Sequence, residues 1–582
     1  MTIIAGCFCI DVNKQISDSL KLSLKKNLRR KEDGRGQTFS SEGSAFFLVK
    51  WDSGAFKEMA WIEKPDGSVS AMAGDPLALN FDSRISRMDE LKNIDLFADN
   101  CVEQLINARG SFCLASYSSA ERCLKLATDV IGLRSVYYLI QDGIFIFAST
   151  LRILEAIESI KKSISVIGVA EQCIYGQPLG FRSPYENIYI LREAELLTVS
   201  GSGIKISRYF DWSNCLSYTG NDEEAAKTLH KVFVDSVRHR AIAHENTLAF
   251  LSGGMDSRAI VATLIECGHR VLALNFSPDN SQDKKYAERF AEKAGSSCKL
   301  FCYPRNADPN FSLLAYSAKK TALECNDLGI ERPDLIWSGD GGSVGLGHVY
   351  MNEHMVDIIE NEGVENVVRY FTKLHRHYLP VGVLSKKWRK RLPKMIFQDV
   401  LEEFSRYPRN DSGRQIYFFL LFNDQRRHLH KHFESIDEHG IEFLTPFFDS
   451  VFLRTVVSTP VRWGVLHRLY VQWFMQLPPF AQLTPWQTYP GHVKCPLQDD
   501  DKLSYQWDSP SQPSERVLER LSVAQELLAF LSMPVTRELF SKTRIVLAAV
   551  LHVFAIRDAR YTLETLKRIS HFDKNYRQIV TQ

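Results

Sequence analysis

Short apolar or alternating runs fill the first two hundred residues, and turn formers separate them. GSFCLASYSS (110–119), CLKLATDVIG (123–132), VYYLI (136–140) and IFIFAS (144–149) have strand length and strand-like patterning. Asp142-Gly143, between the last two, predicts a hairpin, because both residues tolerate the positive φ of a type I′ turn. NIYILREAELLTVSGSGIKISRYF (187–210) adds a second set that turns at Gly201-Ser202-Gly203. Strands at this spacing predict stacked antiparallel sheets.

The period changes near residue 221. NDEEAAKTLHKVFVDSVRHRAI (221–242) has apolar residues at helical spacing, with Asn221 or Asp222 to cap its start. TLAFLSGGMDSRAIVATLIECG (247–268) reads as strand, glycine turn and helix. The strand RVLALNF (270–276), the helix DKKYAERFAEKAG (283–295) and the strand DLIWSGDGG (334–342) follow. Such alternation predicts an α/β domain with a parallel sheet. Beyond 350 the pattern is mostly helical and rich in His, Arg and aromatic residues. DDDKLSYQWDSPSQPSE (499–515) reads as a linker or long loop before a last helical segment. The expected division is therefore 1–212, 221–498 and 499–582, with no internal repeat or low-complexity tract.

Composition narrows the function. The chain has 582 residues, 45% of them apolar, which is enough for several cores. Its 71 basic residues nearly balance 69 acidic ones, which argues against coating nucleic acid or an anionic membrane. The 12 cysteines are scattered, without zinc-site spacing, and Cys7 and Cys9 on one early strand read as core. The start MTIIAGCFCIDV has no basic leader, and no apolar stretch is long enough to span a membrane, so a cytoplasmic protein is expected.

The chemistry centres on Ser252-Gly253-Gly254-Met255-Asp256-Ser257, which follows the apolar strand Leu248–Leu251 and opens a helix. Paired glycines let the backbone approach an oxyanion, and the helix N-terminus offers unpaired N–H groups. Ser252 and Ser257 add hydroxyl donors, and Asp256 can hold Mg²⁺ against the same phosphates. The plain alternative is a glycine turn that merely closes a strand–helix unit. The motif resembles the PP-loop, SGGxDS, of ATP pyrophosphatases.

The likeness extends along the chain in an order that resembles the asparagine synthetase B-type family, whose glutaminase-type Ntn-hydrolase domain precedes a PP-loop synthetase domain. ATDVIGLRSVYY and IFIFAS (127–149) resemble the family's ARDxxGxxPLYY…FASE segment. SGDGGSVGLGH (338–348) resembles its second synthetase signature, SGEGxDExFGG, and IEFLTPFFDSVFL (441–453) resembles the segment around R-x-PFLD. The resemblance implies an α/β and α+β architecture of two main domains with a helical extension. It implies ATP and Mg²⁺ as cofactors, with Leu251 to Ser257 and Ser338, Gly339 and Asp340 at the nucleotide and Asp256 and Asp340 at the metal.

Several positions depart from the family pattern. Thr2 stands where the nucleophilic cysteine is expected. If Met1 is removed, the Thr2 amine could act as base to its own hydroxyl; otherwise the domain keeps its fold without glutaminase activity, and that reading is preferred. No segment resembles the NGEIYN glutamine pocket; AMAGDPLAL (71–79), with Gly74-Asp75, comes nearest. Asp340 replaces the usual glutamate, and Ser343-Val344 replaces an Asp-Glu pair. Arg468 in VLHRLYVQW falls where a lysine neutralises pyrophosphate, with a solvated helix face as the alternative. NDQRRHLHKH (423–432) brings Arg426, Arg427, His428, His430 and His432 together as a basic lining for an anionic substrate, or as a solvated helix. Trp486, Tyr489 and His492 suit a substrate lid or simple packing.

The expected function is an ATP-dependent, AMP-forming carbon–nitrogen ligase, by default making asparagine from aspartate. An intramolecular cyclase of the β-lactam synthetase or lasso-peptide type, and amidation of a sugar uronate, are the alternatives. So is an ATP-binding relative without catalysis. A small-molecule or peptide carboxylate is the expected partner, with no nucleic acid or membrane, and a homodimer is possible.

Overall fold

The computed structural model describes residues 2–28, 35–52, 54–56, 58–77, 87–241, 246–303, 311–325, 328–375, 381–408, 411–497, 503–505, 513–533, 539–560, 562–567 and 569–570. Most of the expected linker at 499–515 and the last twelve residues lie outside these.

The first half contributes β1 (Ile3–Cys9), β2 (Arg35–Ser40), β3 (Phe46–Asp52), β4 (Trp61–Glu63), β5 (Val69–Asp75), β6 (Ser111–Ser118), β7 (Cys123–Thr128), β8 (Tyr137–Gln141), β9 (Ile144–Ala148), β10 (Tyr189–Ile190), β11 (Glu195–Ser200) and β12 (Gly203–Arg208). They form two antiparallel sheets, in the orders β10-β8-β9-β1-β3-β2 and β12-β11-β7-β6-β5-β4. Successive β1 residues serve different cores. Ile4 and Phe8 join Phe46 and Phe147 against Ala71, Ala115 and Leu126 of the other sheet. Ile3, Ala5, Cys7 and Cys9 face the opposite core, which continues into the second half of the chain. Burial on both faces explains why β1 is apolar throughout. The two cysteines are buried, as expected of core residues.

Asp142 and Gly143 take φ of 52° and 74° between paired Gln141 and Ile144, the geometry of a type I′ turn. The other hairpin is tighter than the sequence suggests, because Gly203 pairs with Ser200 and leaves Gly201-Ser202 alone in the turn.

In the second half, Asn221 rather than Asp222 caps α1 (Asp222–Arg240), and Glu224 completes a capping box. Then come β13 (Thr247–Phe250), α2 (Met255–Glu266), β14 (Val271–Asn275), α3 (Gln282–Ala294), β15 (Cys298–Cys302), α4 (Phe311–Glu324), β16 (Leu335–Trp337) and, after several helices, β17 (Glu442–Leu444). All pairings among these strands are parallel, in the order β15-β14-β13-β16-β17. The chain moves outward from β13 and then returns to its other side at β16. That reversal opens a crevice at the carboxyl ends of β13 and β16, where α/β sheets bind ligands.

Helices dominate the remainder, including α5 (Lys386–Phe404), α6 (Arg426–Ile436), α7 (Arg468–Phe474), α8 (Pro513–Ala529) and α9 (Lys542–Val553). The C-terminal segment docks on the molecule. Leu539 accepts from the Ser385 N–H at 2.9 Å, Arg544 donates to the Gly382 carbonyl at 2.7 Å, and Leu527 and Ile545 are buried. Among the described residues no helix is long and apolar enough to cross a membrane.

Buried charges join the two halves. Asp449 accepts three bonds from Arg109 and one from Arg240, at 2.9–3.1 Å. Glu193 is gripped by Arg406 and Arg426 at 3.0 and 3.1 Å. Burial alone would raise the Glu193 pKa, but the arginines hold it at about 2.

Candidate active site

The SGGMDS segment is the turn from β13 into α2. It is closed by its own hydroxyls: Ser252 N donates to Ser257 Oγ at 2.8 Å, and Gly254 N donates to Ser252 Oγ at 3.2 Å. Buried Arg258 clamps the turn from behind. It donates to the carbonyls of Gly253 and Gly254 and, across the chain, to those of Thr484 and Pro485, all at 2.9–3.0 Å. Gly253 is required for close packing, since a Cβ there would lie 2.8 Å from the Asp283 Cα at the start of α3. Its N–H donates to Asp283 Oδ1 at 2.8 Å.

The segment after β16 crosses this turn. A Cβ on Gly342 would lie 2.7 Å from the Asp256 carboxyl carbon, so only glycine allows the two signatures to touch. Ser343, in the wide π-helical turn Gly342–Leu346, donates to Asp256 twice, from its N–H at 2.9 Å and its hydroxyl at 2.8 Å. The Tyr470 hydroxyl on α7 is the third donor to Asp256. Burial pushes the Asp256 pKa up, and the nearby charge of Asp340 adds to that, while the donors oppose it.

Asp340 differs. Burial acts to raise its pKa, but His432 and the Ser338 hydroxyl, which donates at 2.7 Å, hold it below the usual carboxylate range. His432 Nδ1 lies 3.6 Å from Asp340 Oδ2, and its ring stacks on Phe311 with centroids 3.9 Å apart.

These groups border a cleft of about 560 Å³. Of the residues expected at the nucleotide, Leu251, Ser252, Asp256, Ser257, Ser338, Gly339 and Asp340 line it, whereas Gly253, Gly254 and Met255 do not. Ser343 and Val344 line it too, where the family's acidic pair is expected. No lysine or arginine among the described residues does.

The remaining candidates disperse. Arg468 lies outside the lining, exposed, and pairs with Glu353; Tyr470, two residues on, is the α7 side chain that reaches the site. The basic run on α6 divides between two faces. Arg426 pairs with Glu193, Arg427 donates to the Pro178 and Arg182 carbonyls, and His430 bonds the Gly132 carbonyl, so all three secure α6 to the first half. His428 lines the cleft, and His432 reaches Asp340. In the 484–496 segment Tyr489 lines the cleft, while Trp486 is packing. The His492 ring packs at a tilt against His467, with centroids 4.4 Å apart.

Thr2 is fully buried at the seam between the halves. Its N–H donates to Glu442 on β17 at 2.8 Å, and its hydroxyl donates to Asp52 Oδ2 at 3.3 Å. Lys50 and Arg87 flank Asp52, and Arg87 also donates to the Gly74 carbonyl, which belongs to the segment nearest a glutamine pocket in sequence. Arg134 pairs with Glu442.

Residues 91–210 match the family model for a glutamine amidotransferase domain, and residues 228–312 match that for asparagine synthase. Two stretches of the chain are thus similar to the glutamine amidotransferase and asparagine synthase domains of the asparagine synthetase family. The glutamine-hydrolyzing asparagine synthetase 3 of Bacillus subtilis is 28% identical over 203 residues, which are 33% of this chain and 31% of that protein. A Methanocaldococcus jannaschii protein, provisionally named a glutamine-hydrolyzing asparagine synthetase, is 20% identical over 382 residues, 64% of this chain and 59% of that one. The matched region thus spans less than two thirds of either relative. Among solved structures, the glutamine phosphoribosylpyrophosphate amidotransferase from B. subtilis, complexed with ADP and GMP, aligns at 11% identity. It covers 53% of this chain and 83% of that one, with a TM-score of 0.24.

Proposed function

We propose that this asparagine synthetase relative is an ATP-dependent, amide-forming ligase. A substrate carboxylate attacks the α-phosphate of ATP, giving an acyl-adenylate and pyrophosphate. An amine then attacks the activated carbonyl, forming the amide and releasing AMP. The convergence of Ser252, Asp256 and Ser257 with Ser338 and Asp340 at the sheet's switch point carries this reading. There the N-terminus of α2 and the serine hydroxyls suit phosphate oxygens.

Mg²⁺ fits the donor set. Among the described residues no group of three or more His, Cys, Asp or Glu side chains forms a metal cage. Mg²⁺ at nucleotide sites takes one or two carboxylates plus phosphate oxygens, and Asp340 and Asp256 supply them. Bound there, it would neutralise phosphate charge that no lysine or arginine of the described lining meets. Asp256 also fixes Ser343, and His432 keeps Asp340 ionised.

The buried Thr2, tied to Asp52 and Glu442, supports a first domain that acts as a scaffold, with the amine taken directly rather than from glutamine. Aspartate remains the default acyl substrate. A second reading, nucleotide binding without turnover, draws support from the three donors that occupy the Asp256 carboxylate. Pyrophosphate release with Mg-ATP, aspartate and either ammonium or glutamine tests all three points, with Asp256→Ala as control. Release with ammonium alone is expected. Equal release with glutamine would overturn the scaffold reading, and nucleotide binding without pyrophosphate under either condition would favour the second reading.

A further inference from the structure

A second cavity, of about 390 Å³, adjoins the nucleotide cleft, and the two share Tyr350 and Asp424. Ile174, Tyr175 and Leu179 of the first half and Phe371, Phe419 and Leu420 of the second form its apolar walls. Tyr175 stacks on Phe371 at 6.0 Å and meets Phe419 edge-on at 6.3 Å, which makes a preformed aromatic corner. The polar groups nearby are mostly committed. Asn423 accepts from Gly180 N at 2.7 Å and donates to Glu403 at 3.2 Å, and His375 bonds the Phe371 carbonyl at 2.9 Å. Asp424 is the carboxylate of the described lining, and among the described residues no hydrogen bond reaches it.

We infer that this second cavity binds the acceptor of the ligase reaction, a primary amine with an apolar body of aromatic size, its nitrogen at Asp424. The inference rests on the ligase reading. Ammonia needs no apolar chamber, and a carboxylate at the junction repels an acyl substrate while attracting an ammonium. The amine enters as an ammonium and gives one proton to Asp424. Its lone pair then forms the C–N bond to the acyl carbonyl as the C–O bond to AMP breaks, with that electron pair leaving on the phosphate. The second N–H proton passes to water.

Isothermal titration of the full chain with 2-phenylethylamine, with phenylacetate as the same body of opposite charge, and with ammonium tests the assignment, with and without Mg²⁺ and α,β-methylene-ATP. Saturable phenylethylamine binding at least about tenfold tighter than phenylacetate is expected. Ile174→Trp, which narrows the chamber away from the nucleotide cleft, should weaken the amine about tenfold while nucleotide affinity stays within about twofold. Asp424→Asn should abolish the preference for the amine, and it carries the test if Ile174→Trp does not fold. No saturable amine binding, an equal preference for phenylacetate, or an unchanged amine affinity in both folded variants would overturn the assignment. If the amine binds as stated and the nucleotide does not, the ligase reading falls instead, and an amine site remains.

Discussion

Asp256 and Asp424 face one cleft with opposite commitments. Asp256 is locked by Ser343 and Tyr470, so its charge and its shape both matter to the neighbouring signature. Asp256→Asn keeps the shape, and pyrophosphate release is expected to fall by roughly 10²- to 10³-fold, the cost of one preorganised electrostatic group. A chain that retains its melting temperature yet releases pyrophosphate at a rate lowered by that factor would give the expected signature. Among the described residues Asp424 has no such partners, and burial pushes its pKa up to about 6, opposed by Lys431. Its charge is therefore present above about pH 6 and lost below. Phenylethylamine affinity should fall about tenfold per pH unit under that midpoint, with Tyr175, Tyr350 and His375, the other titratable groups of the chamber lining, as the groups to control for. A flat profile between pH 5 and pH 8 in a titration would contradict this.

At the scale of elements, the helix at Ser450–Ser458 begins at a carboxylate that also serves the rest of the fold. Asp449 caps it, accepting from Val451 and Phe452, and also holds Arg109 and Arg240. Burial would raise the Asp449 pKa, but the two guanidinium groups keep it below the ordinary range. Its contribution is thus full at neutral pH and is lost as pH falls below the ordinary carboxylate range. Asp449→Asn leaves two buried arginines short of charge, a change that typically costs about 3–5 kcal/mol. A lower melting temperature at pH 7, with the gap closing in acid, is the expected calorimetric result.

Such elements also explain what could be read in advance. The Asp142-Gly143 hairpin and the SGGMDS turn depend on neighbouring residues and were legible for that reason. Tyr470 was not, because it meets Asp256 from 214 residues away. Charge drew attention to Arg468, yet two helical positions differ by about 200° in direction, so the aromatic neighbour faces the site. The same rotation divides the basic run of α6 between the cleft and the first half. Composition gives the charges of a helix but not the face each one occupies.

For the whole molecule, the seam sets the folding unit. Glu193, Arg134 and the Thr2 N–H of the first half all find their partners on α6, β17 or Arg406 of the second. Residues 1–212 expressed alone would bury these groups unpaired or expose the apolar face of β1. They are expected to form a loosely packed or aggregated species, and co-expression with residues 213–582 should restore a discrete peak in gel filtration. A monodisperse isolated fragment with a cooperative melt would show that the seam is dispensable.

The position of Thr2 also bears on reversibility. Cysteine is close in size, so Thr2→Cys should be tolerated sterically. Its sulfur, however, would take the place of the Thr2 hydroxyl beside the Asp52 carboxylate, out of contact with solvent. Burial and the adjacent carboxylate oppose ionisation, although Lys50 and Arg87 offset part of that charge, and a protonated thiol is a poor nucleophile. Thr2→Cys alone is therefore not expected to give a glutamine hydrolase, because the surroundings of Thr2 serve as an inter-domain joint.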